Sequence, residues 1–165
     1  MFADRKEAGR KLAELLFDYK GKNALVLAIP RGGIVVADEI AKEIGADLDL
    51  IIPRKIGSPS DPEFAIGAVA PDRTFLLNKK VVRELGVTKD YIEKVVRIES
   101  IEIDRRMKKY RGSSEFPNVK GKIVIVVDDG IATGYTIRVV VDFLKKMKPK
   151  LIVVAVPVAP AEAIE

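Results

Sequence analysis

Two adjacent carboxylates follow the most apolar stretch of this sequence. Asp128 and Asp129 come directly after residues 123–127, which are all Ile or Val and are typical of a buried strand. Neighbouring carboxylates repel each other. The repulsion is tolerable only where they reach solvent, a metal ion or several hydroxyl donors. A sugar diol supplies such donors. The pair therefore predicts a site for a hydroxyl-rich ligand where this strand ends.

The residues that follow are suited to binding a phosphate group. They are Gly130, Ile131, Ala132, Thr133, Gly134, Tyr135 and Thr136. The two glycines let the backbone turn with its N–H groups inward, the threonine hydroxyls add donors, and the positive end of the next helix points to the same place. Asp-Asp-Gly alone is more typical of a simple strand-ending turn. The complete run instead favours carboxylates for a diol beside a nest for a phosphate, as a ribose 5-phosphate requires.

A second candidate segment follows the predicted strand 24–29. Arg31, Gly32 and Gly33 lie between this strand and a predicted helix. The backbone N–H groups of the two glycines and the arginine guanidinium could together bind a pyrophosphate at such a place. A tight turn with a solvated arginine is the alternative.

A third candidate segment follows the predicted strand 48–53. Arg54 and Lys55 head residues 54–62, which are rich in Gly, Ser and Pro and have the composition of a loop. A mobile lid over a departing pyrophosphate would need such a loop. An ordinary polar loop is the alternative.

Alternating strands and helices must position these three segments. Helices are predicted at 4–19, at 34–44, after Asn78, from Thr88 to about Tyr110 and at 137–147, and strands at 24–29, 48–53, 64–70, 74–77, 123–128 and 151–156. Strand, helix and strand joined by short loops imply an α/β class: a mostly parallel open sheet flanked by helices on both faces, with a Rossmann-like core and a small hairpin. Ligands collect beyond the carboxyl ends of such strands, so the three segments should form one site.

The longest predicted helix is highly charged. Its basic residues are Lys94, Arg97, Arg105, Arg106, Lys108 and Lys109, and its acidic residues are Glu93, Glu99, Glu102 and Asp104. A basic helix could bind nucleic acid, but interleaved charges favour a solvated, ion-paired face. Tyr91, Val95, Ile98 and Ile101 have the spacing of an apolar stripe, which we expect to be the buried face.

Composition limits the remaining possibilities. The 165 residues, 48% of them hydrophobic, are enough for one domain. The absence of His and Cys excludes thiolate nucleophiles, disulfides and zinc–sulfur sites, and removes the usual general base. The net charge of +5 suits a polyanionic ligand. Short apolar runs and the lack of a signal pattern before Asp4 predict a soluble cytoplasmic protein. Many charges, no Gln and few Asn suggest a thermophilic source.

From Val124 to Thr136 the sequence resembles the signature by which type I phosphoribosyltransferases bind 5-phosphoribosyl 1-diphosphate (PRPP). The other two segments occupy the positions at which this family has its pyrophosphate loop and its flexible loop. Arg54-Lys55 resembles the Arg-Lys pair of the orotate and adenine phosphoribosyltransferases. The similarity extends from Ala24 to about Pro157. It is greatest to predicted phosphoribosyltransferases whose base is unassigned.

The resemblance implies that a nitrogen of a nucleobase-like acceptor attacks C1 of PRPP and releases pyrophosphate, with Mg²⁺ bridging the sugar hydroxyls and the pyrophosphate. Asp128 and Asp129 would hold the hydroxyls, and residues 130–136 the 5-phosphate. The pyrophosphate would be bound by Arg31, Gly32, Gly33 and Lys55, with Arg54 as a less direct helper. Relatives are commonly homodimers.

Two departures from the family pattern matter. Hypoxanthine-type members have an Asp where this chain has Ala132, so hypoxanthine or guanine as acceptor is disfavoured. The chain also stops at Glu165, so the hood over the base is built either from the N-terminal helix and the helices of 78–110, or from residues absent from this sequence.

Two other functions compete with transfer. A non-catalytic PRPP sensor would keep the same signature, but the sequence contains no helix-turn-helix and no unbroken basic stripe for a nucleic-acid partner. A dinucleotide-binding domain is poorly supported because no Gly-x-Gly-x-x-Gly follows the first predicted strand.

Overall fold

The computed structural model describes residues 2–113 and 115–161. These residues form two compact units, each built from separate stretches of the chain. The first contains the described parts of Met1–Ile51, Phe116–Gly134 and Leu144–Glu165, and the second those of Ile52–Glu115 and Tyr135–Phe143. Glu165, on which the prediction about the chain end depended, lies outside the described residues. The single-domain organisation stays a prediction.

Helices and strands follow the order expected from the sequence, with an additional strand at 54–57. The helices are α1 (Arg5–Leu15), α2 (Gly32–Ile44), α3 (Lys79–Glu84), α4 (Lys89–Arg111) and α5 (Tyr135–Lys146), and a short 3-10 helix, Phe17–Tyr19, follows α1. The strands are β1 (Ala24–Ala28), β2 (Asp47–Leu50), β3 (Arg54–Gly57), β4 (Ala65–Val69), β5 (Phe75–Leu77), β6 (Ile123–Val127) and β7 (Leu151–Ala155).

The first unit contains a four-stranded parallel sheet in the order β2-β1-β6-β7. From β1 the chain continues to β2 at one edge of the sheet, and from β6 it continues to β7 at the opposite edge. The strand order therefore reverses between β1 and β6, whose last residues Ala28 and Val127 are paired. Open α/β sheets bind ligands at such a reversal, beyond the carboxyl ends of the strands. The parallel sheet flanked by helices confirms the predicted α/β class.

Apolar residues of α1, α2 and the strands form the core of the first unit. Its buried members are Ala13, Leu16, Val26, Ala28, Val36, Ala37, Ile40, Ala41, Ile44, Ile123, Ile125, Val127 and Ala155. The Asp4 carboxylate caps the start of α1, since it accepts a hydrogen bond of 2.8 Å from the Glu7 backbone N–H. A Cβ on Gly9 would lie 2.8 Å from the Val36 carbonyl oxygen, so α1 and α2 touch at their backbones.

The second unit contains an antiparallel sheet in the order β3-β4-β5. The predicted hairpin of 64–70 and 74–77 is confirmed as β4 and β5. The prediction that a loop begins at Arg54 is wrong, because Arg54 and Lys55 pair with Val69 and Ala68 as part of β3. The strand has four residues and a single buried side chain, Ile56, so the turn residues after it dominated the local composition.

The buried face of α4 also differs from the prediction. Its buried residues are Ile92, Ser100, Ile103 and Met107. Ile98 and Ile101 of the predicted stripe are 52% and 64% exposed. Apolar residues lie on more than one side of this helix, and spacing alone cannot tell which side packs against strands. The predicted helix starts at Asn78 and Thr88 are confirmed. The Asn78 side chain accepts a hydrogen bond from the Val81 N–H, and the Thr88 side chain accepts one from the Tyr91 N–H.

The charges of α4 pair with one another, which confirms the ion-paired face. Glu102 Oε2 accepts from Arg105 Nε at 2.7 Å and its Oε1 from Arg106 Nε at 2.6 Å. These two hydrogen bonds lower the pKa of Glu102 from 4.5 to about 2. Among the described residues, no helix is both long and apolar enough to span a membrane.

The lowered pKa of Glu102 predicts a pH-dependent contribution to stability. Because the folded pKa of about 2 lies below the ordinary 4.5, the contribution is present above pH 4.5 and is lost as the pH falls toward 2. In Glu102→Gln, the free energy of unfolding should drop by less than about 1 kcal/mol at neutral pH, since surface pairs contribute little. Denaturant titrations at several pH values measure this difference. A difference that persists at pH 2, or an equal one for Asp104→Asn on the same helix, would contradict it.

Candidate functional site

The two carboxylates at the end of β6 point to different partners. Asp128 Oδ1 accepts a hydrogen bond of 2.8 Å from the Asp129 backbone N–H. Asp129 Oδ2 accepts from Arg5 Nε at 2.9 Å and lies 2.8 Å from Arg5 Nη2. Adjacent negative charges are tolerated here because one faces the backbone and the other a guanidinium. Both side chains remain partly exposed, with that of Asp129 32% exposed, so a ligand can reach them.

The first turn of α2 lies directly against these carboxylates. A Cβ on Gly32 would lie 1.8 Å from Asp129 Oδ2, and one on Gly33 would lie 2.8 Å from the Val127 carbonyl oxygen. Only glycine permits such an approach. The helix begins at Gly32, earlier than the predicted residue 34, with the exposed Arg31 at its N-cap and a cis peptide bond between Pro30 and Arg31. The structure therefore brings Asp129 and the Arg31-Gly32-Gly33 segment together.

The loop after Asp129 is anchored at one point. The Ile131 N–H donates to the Val158 carbonyl oxygen at 2.9 Å. Gly134 has φ 78°, which favours glycine. At Gly130 the backbone is outside this left-handed region, and a Cβ would meet nothing closer than 3.6 Å. The backbone therefore requires glycine at Gly134 and does not require it at Gly130.

Helix α5 begins at Tyr135, two residues before the prediction, with Gly134 as its N-cap. Tyr135 and Thr136 therefore belong to the first turn of the helix. The first N–H groups of a helix have no partners within it and attract anions. Ala132 and Thr133 are exposed, so the loop before this helix faces solvent.

Arg54 and Lys55 lie in the second unit and differ in their contacts. Arg54 Nε donates to Glu99 Oε2 at 2.6 Å, so its guanidinium is already paired. The Lys55 side chain is exposed. Lys55 is therefore the better candidate for binding an anion.

The segment after β3 forms a closed turn. Ser58 Oγ accepts from the Asp61 N–H at 3.1 Å and donates to the Asp61 carbonyl oxygen at 2.9 Å. A Cβ on Gly57 would lie 2.2 Å from the Pro62 carbonyl oxygen. Arg54 and Lys55 precede this turn on β3. A lid function for this region stays a prediction.

The sequence did not single out Arg5. A helix was predicted from residue 4, but an arginine in the first turn of an exposed helix carries no sign of a distant partner. Its pairing with Asp129 spans 124 residues and depends on how α1 packs on α2.

The carboxylates match the donor chemistry of Mg²⁺. Within 2–113 and 115–161, no group of three or more acidic residues is arranged to hold a metal ion. Mg²⁺ is commonly bound through one or two carboxylates together with substrate phosphates, without a cage of protein ligands. Asp128 and Asp129 would be its ligands in such an arrangement.

Comparison with known proteins assigns the fold. A Staphylococcus aureus hypoxanthine phosphoribosyltransferase has a TM-score of 0.58 at 13% identity, covering 97% of this chain and 65% of that one. A Pyrococcus horikoshii purine phosphoribosyltransferase has a TM-score of 0.54 at 20% identity, covering 92% and 70%. At such identities the likeness shows the fold alone, which is that of the type I phosphoribosyltransferases.

Nearer relatives extend along almost the whole chain. The protein TT1426 from Thermus thermophilus has a crystal structure with a TM-score of 0.77 and 38% identity, covering 99% of this chain and 77% of that one. A Mycobacterium tuberculosis protein with a phosphoribosyl transferase name is 38% identical over 164 residues, and the chain spans 37% of its length. Residues 3–165 match the family described as the phosphoribosyl transferase domain. The chain belongs to this family.

Proposed function

We propose that the chain binds PRPP and transfers its phosphoribosyl group to a nucleobase-like nitrogen acceptor, with release of pyrophosphate. The observation that carries this proposal is the contact between Gly32 and Asp129 Oδ2. It joins a carboxylate suited to a sugar hydroxyl with a helix N-terminus suited to a pyrophosphate. Both sit where the strand order reverses.

Asp128 and Asp129 act on the sugar. In the reaction, the bond from C1 to the diphosphate oxygen breaks with its electron pair leaving on the diphosphate. The acceptor nitrogen bonds to C1 and its proton passes to solvent. Two carboxylates near the ribose hydroxyls stabilise the positive charge that develops on the ring, which is electrostatic stabilisation and needs no proton transfer.

The phosphate groups have separate binding segments in this proposal. Residues 130–136 hold the 5-phosphate through backbone N–H groups, the threonine hydroxyls and the start of α5. Arg31, Gly32 and Gly33 bind the pyrophosphate. Lys55, in the second unit, stays a predicted ligand of the same group, and Arg54 orders β3 through Glu99. Mg²⁺, when bound, neutralises part of the pyrophosphate charge.

We expect an acceptor other than hypoxanthine or guanine. Ala132 has no carboxylate to act as a base toward the purine, unlike the Asp of the hypoxanthine branch in the resemblance above. The hypoxanthine enzymes among the structural neighbours are too distant in sequence to argue otherwise.

Pyrophosphate release tests the proposal. The protein is incubated with PRPP, Mg²⁺ and a panel of nucleobases and amines, and pyrophosphate is measured with each. We expect release with at least one acceptor. Tight PRPP binding without release for any acceptor would favour the sensor instead. No binding of PRPP would contradict both. The homodimer, the cytoplasmic location and the thermophilic source stay predictions; sedimentation velocity tests the first.

A further inference from the structure

We propose that Arg5 is a positioning residue that fixes the Asp129 carboxylate for the sugar. This inference rests on the proposed function, because it assigns to Arg5 a task at the same site. Arg5 belongs to α1, outside the three segments that the sequence singled out.

Arg5 holds one oxygen of Asp129 and leaves the other for a ligand. Arg5 Nε and Nη2 both point at Oδ2, at 2.9 and 2.8 Å. The same oxygen lies against Gly32, where a Cβ would be 1.8 Å away. Oδ2 is therefore enclosed by a guanidinium and a bare backbone. The carboxylate cannot rotate without losing the two contacts to Arg5, so the direction of Oδ1 is set before a sugar arrives.

The packing of α1 on α2 places Arg5. Gly9 follows Arg5 by four residues, one turn along the same face of the helix. A Cβ on Gly9 would lie 2.8 Å from both the Val36 carbonyl oxygen and Glu39 Cβ, so the two helices are in backbone contact at this turn. Arg10 also lies 3.7 Å from Glu39, but this is a long contact of a mostly exposed arginine and adds little to the packing. The position of Arg5 is thereby determined by the fold and not by the ion pair alone.

A purely structural role is a poor account of this ion pair. The Arg5 side chain is 59% exposed, and exposed pairs contribute little to the free energy of unfolding. Two donors on one carboxylate oxygen fix the orientation of the carboxylate, however. The hydrogen bond that the carboxylate can make to a sugar hydroxyl depends on this orientation. A lysine cannot reproduce these two contacts, since its ammonium has no planar pair of donors.

Calorimetric titration with ribose 5-phosphate tests the inference without requiring a known acceptor. The Arg5→Ala variant should bind about tenfold more weakly, by analogy with the loss of metal affinity when a residue that orients a metal ligand is removed. Arg5→Lys should recover only part of the loss. Arg10→Ala is the matched control, because Arg10 is on the same helix, is also 59% exposed and pairs with α2 instead of the site. It should bind like the unaltered protein.

A double-mutant cycle with Asp129→Asn separates positioning from direct contact. If Arg5 acts through Asp129, adding Arg5→Ala to Asp129→Asn should weaken binding by no more than about twofold. The same tenfold loss in both backgrounds, or equal binding by Arg5→Ala and Arg10→Ala, would overturn the inference while leaving the proposed function intact. Failure of the unaltered protein to bind ribose 5-phosphate would overturn the proposed function itself, and this inference with it.

Discussion

Phosphoribosyl transfer by the Asp129→Asn variant is expected to fall by about 10²- to 10³-fold, with the fold unchanged. The substitution keeps the shape of the side chain and removes its charge. A group that stabilises charge developing in the transition state typically contributes this much to the rate. The side chain is partly exposed and packs no core, so its loss should not unfold the protein. Pyrophosphate release at saturating PRPP measures the effect, and thermal unfolding checks the fold.

Asp47→Asn provides the matched control for this prediction. Asp47 is an exposed carboxylate on the same sheet, at the amino end of β2, whereas Asp129 lies beyond the carboxyl end of β6. Its substitution removes one negative charge without touching the proposed site. Equal rates for the two variants would count against the role of Asp129, as would near-normal turnover by Asp129→Asn.

Replacing Gly32 by alanine should strongly weaken sugar binding with only a modest loss of stability. The new Cβ would meet Asp129 Oδ2 at 1.8 Å and Cγ at 2.3 Å. A short side chain can rotate away from this clash, so the free energy of unfolding should fall by about 1 kcal/mol, the low end for overpacking. Rotation, however, removes the carboxylate from Arg5 and from the sugar. Ribose 5-phosphate should therefore bind about as weakly as to Asp129→Asn.

The neighbouring glycine supplies the comparison. A Cβ on Gly33 would meet the Val127 carbonyl oxygen at 2.8 Å and Asp128 Cα at 3.0 Å, and neither backbone atom can move aside. Gly33→Ala should therefore destabilise the protein more, by about 1–3 kcal/mol. Denaturant unfolding and calorimetry distinguish the two variants. Unchanged sugar binding by Gly32→Ala would mean that the close contact with Asp129 has no part in the site.

The fold class and the position of the two carboxylates at the end of a buried strand could be predicted because several local signals agree there. An all-apolar strand, two carboxylates and a run containing Gly134 follow one another within the sequence. Parallel pairing of β1 with β6 then brings Gly32 to Asp129, as the general rule for such sheets requires.

Features that depend on packing between distant segments were missed. The strand at Arg54 is short and its residues resemble the start of a loop. The buried side of α4 is decided by what it packs against, and Ile98 and Ile101 have the same spacing as truly buried residues. Arg5 meets Asp129 only because Gly9 lets α1 approach α2. Periodicity and composition contain no information about such contacts.

A crystal structure of the protein with ribose 5-phosphate tests the central claim most directly. We expect the phosphate against the backbone of residues 130–136 and the sugar hydroxyls within hydrogen-bonding distance of Asp128 and Asp129. A sugar phosphate bound elsewhere, or a site that stays empty at high ligand concentration, would contradict the account.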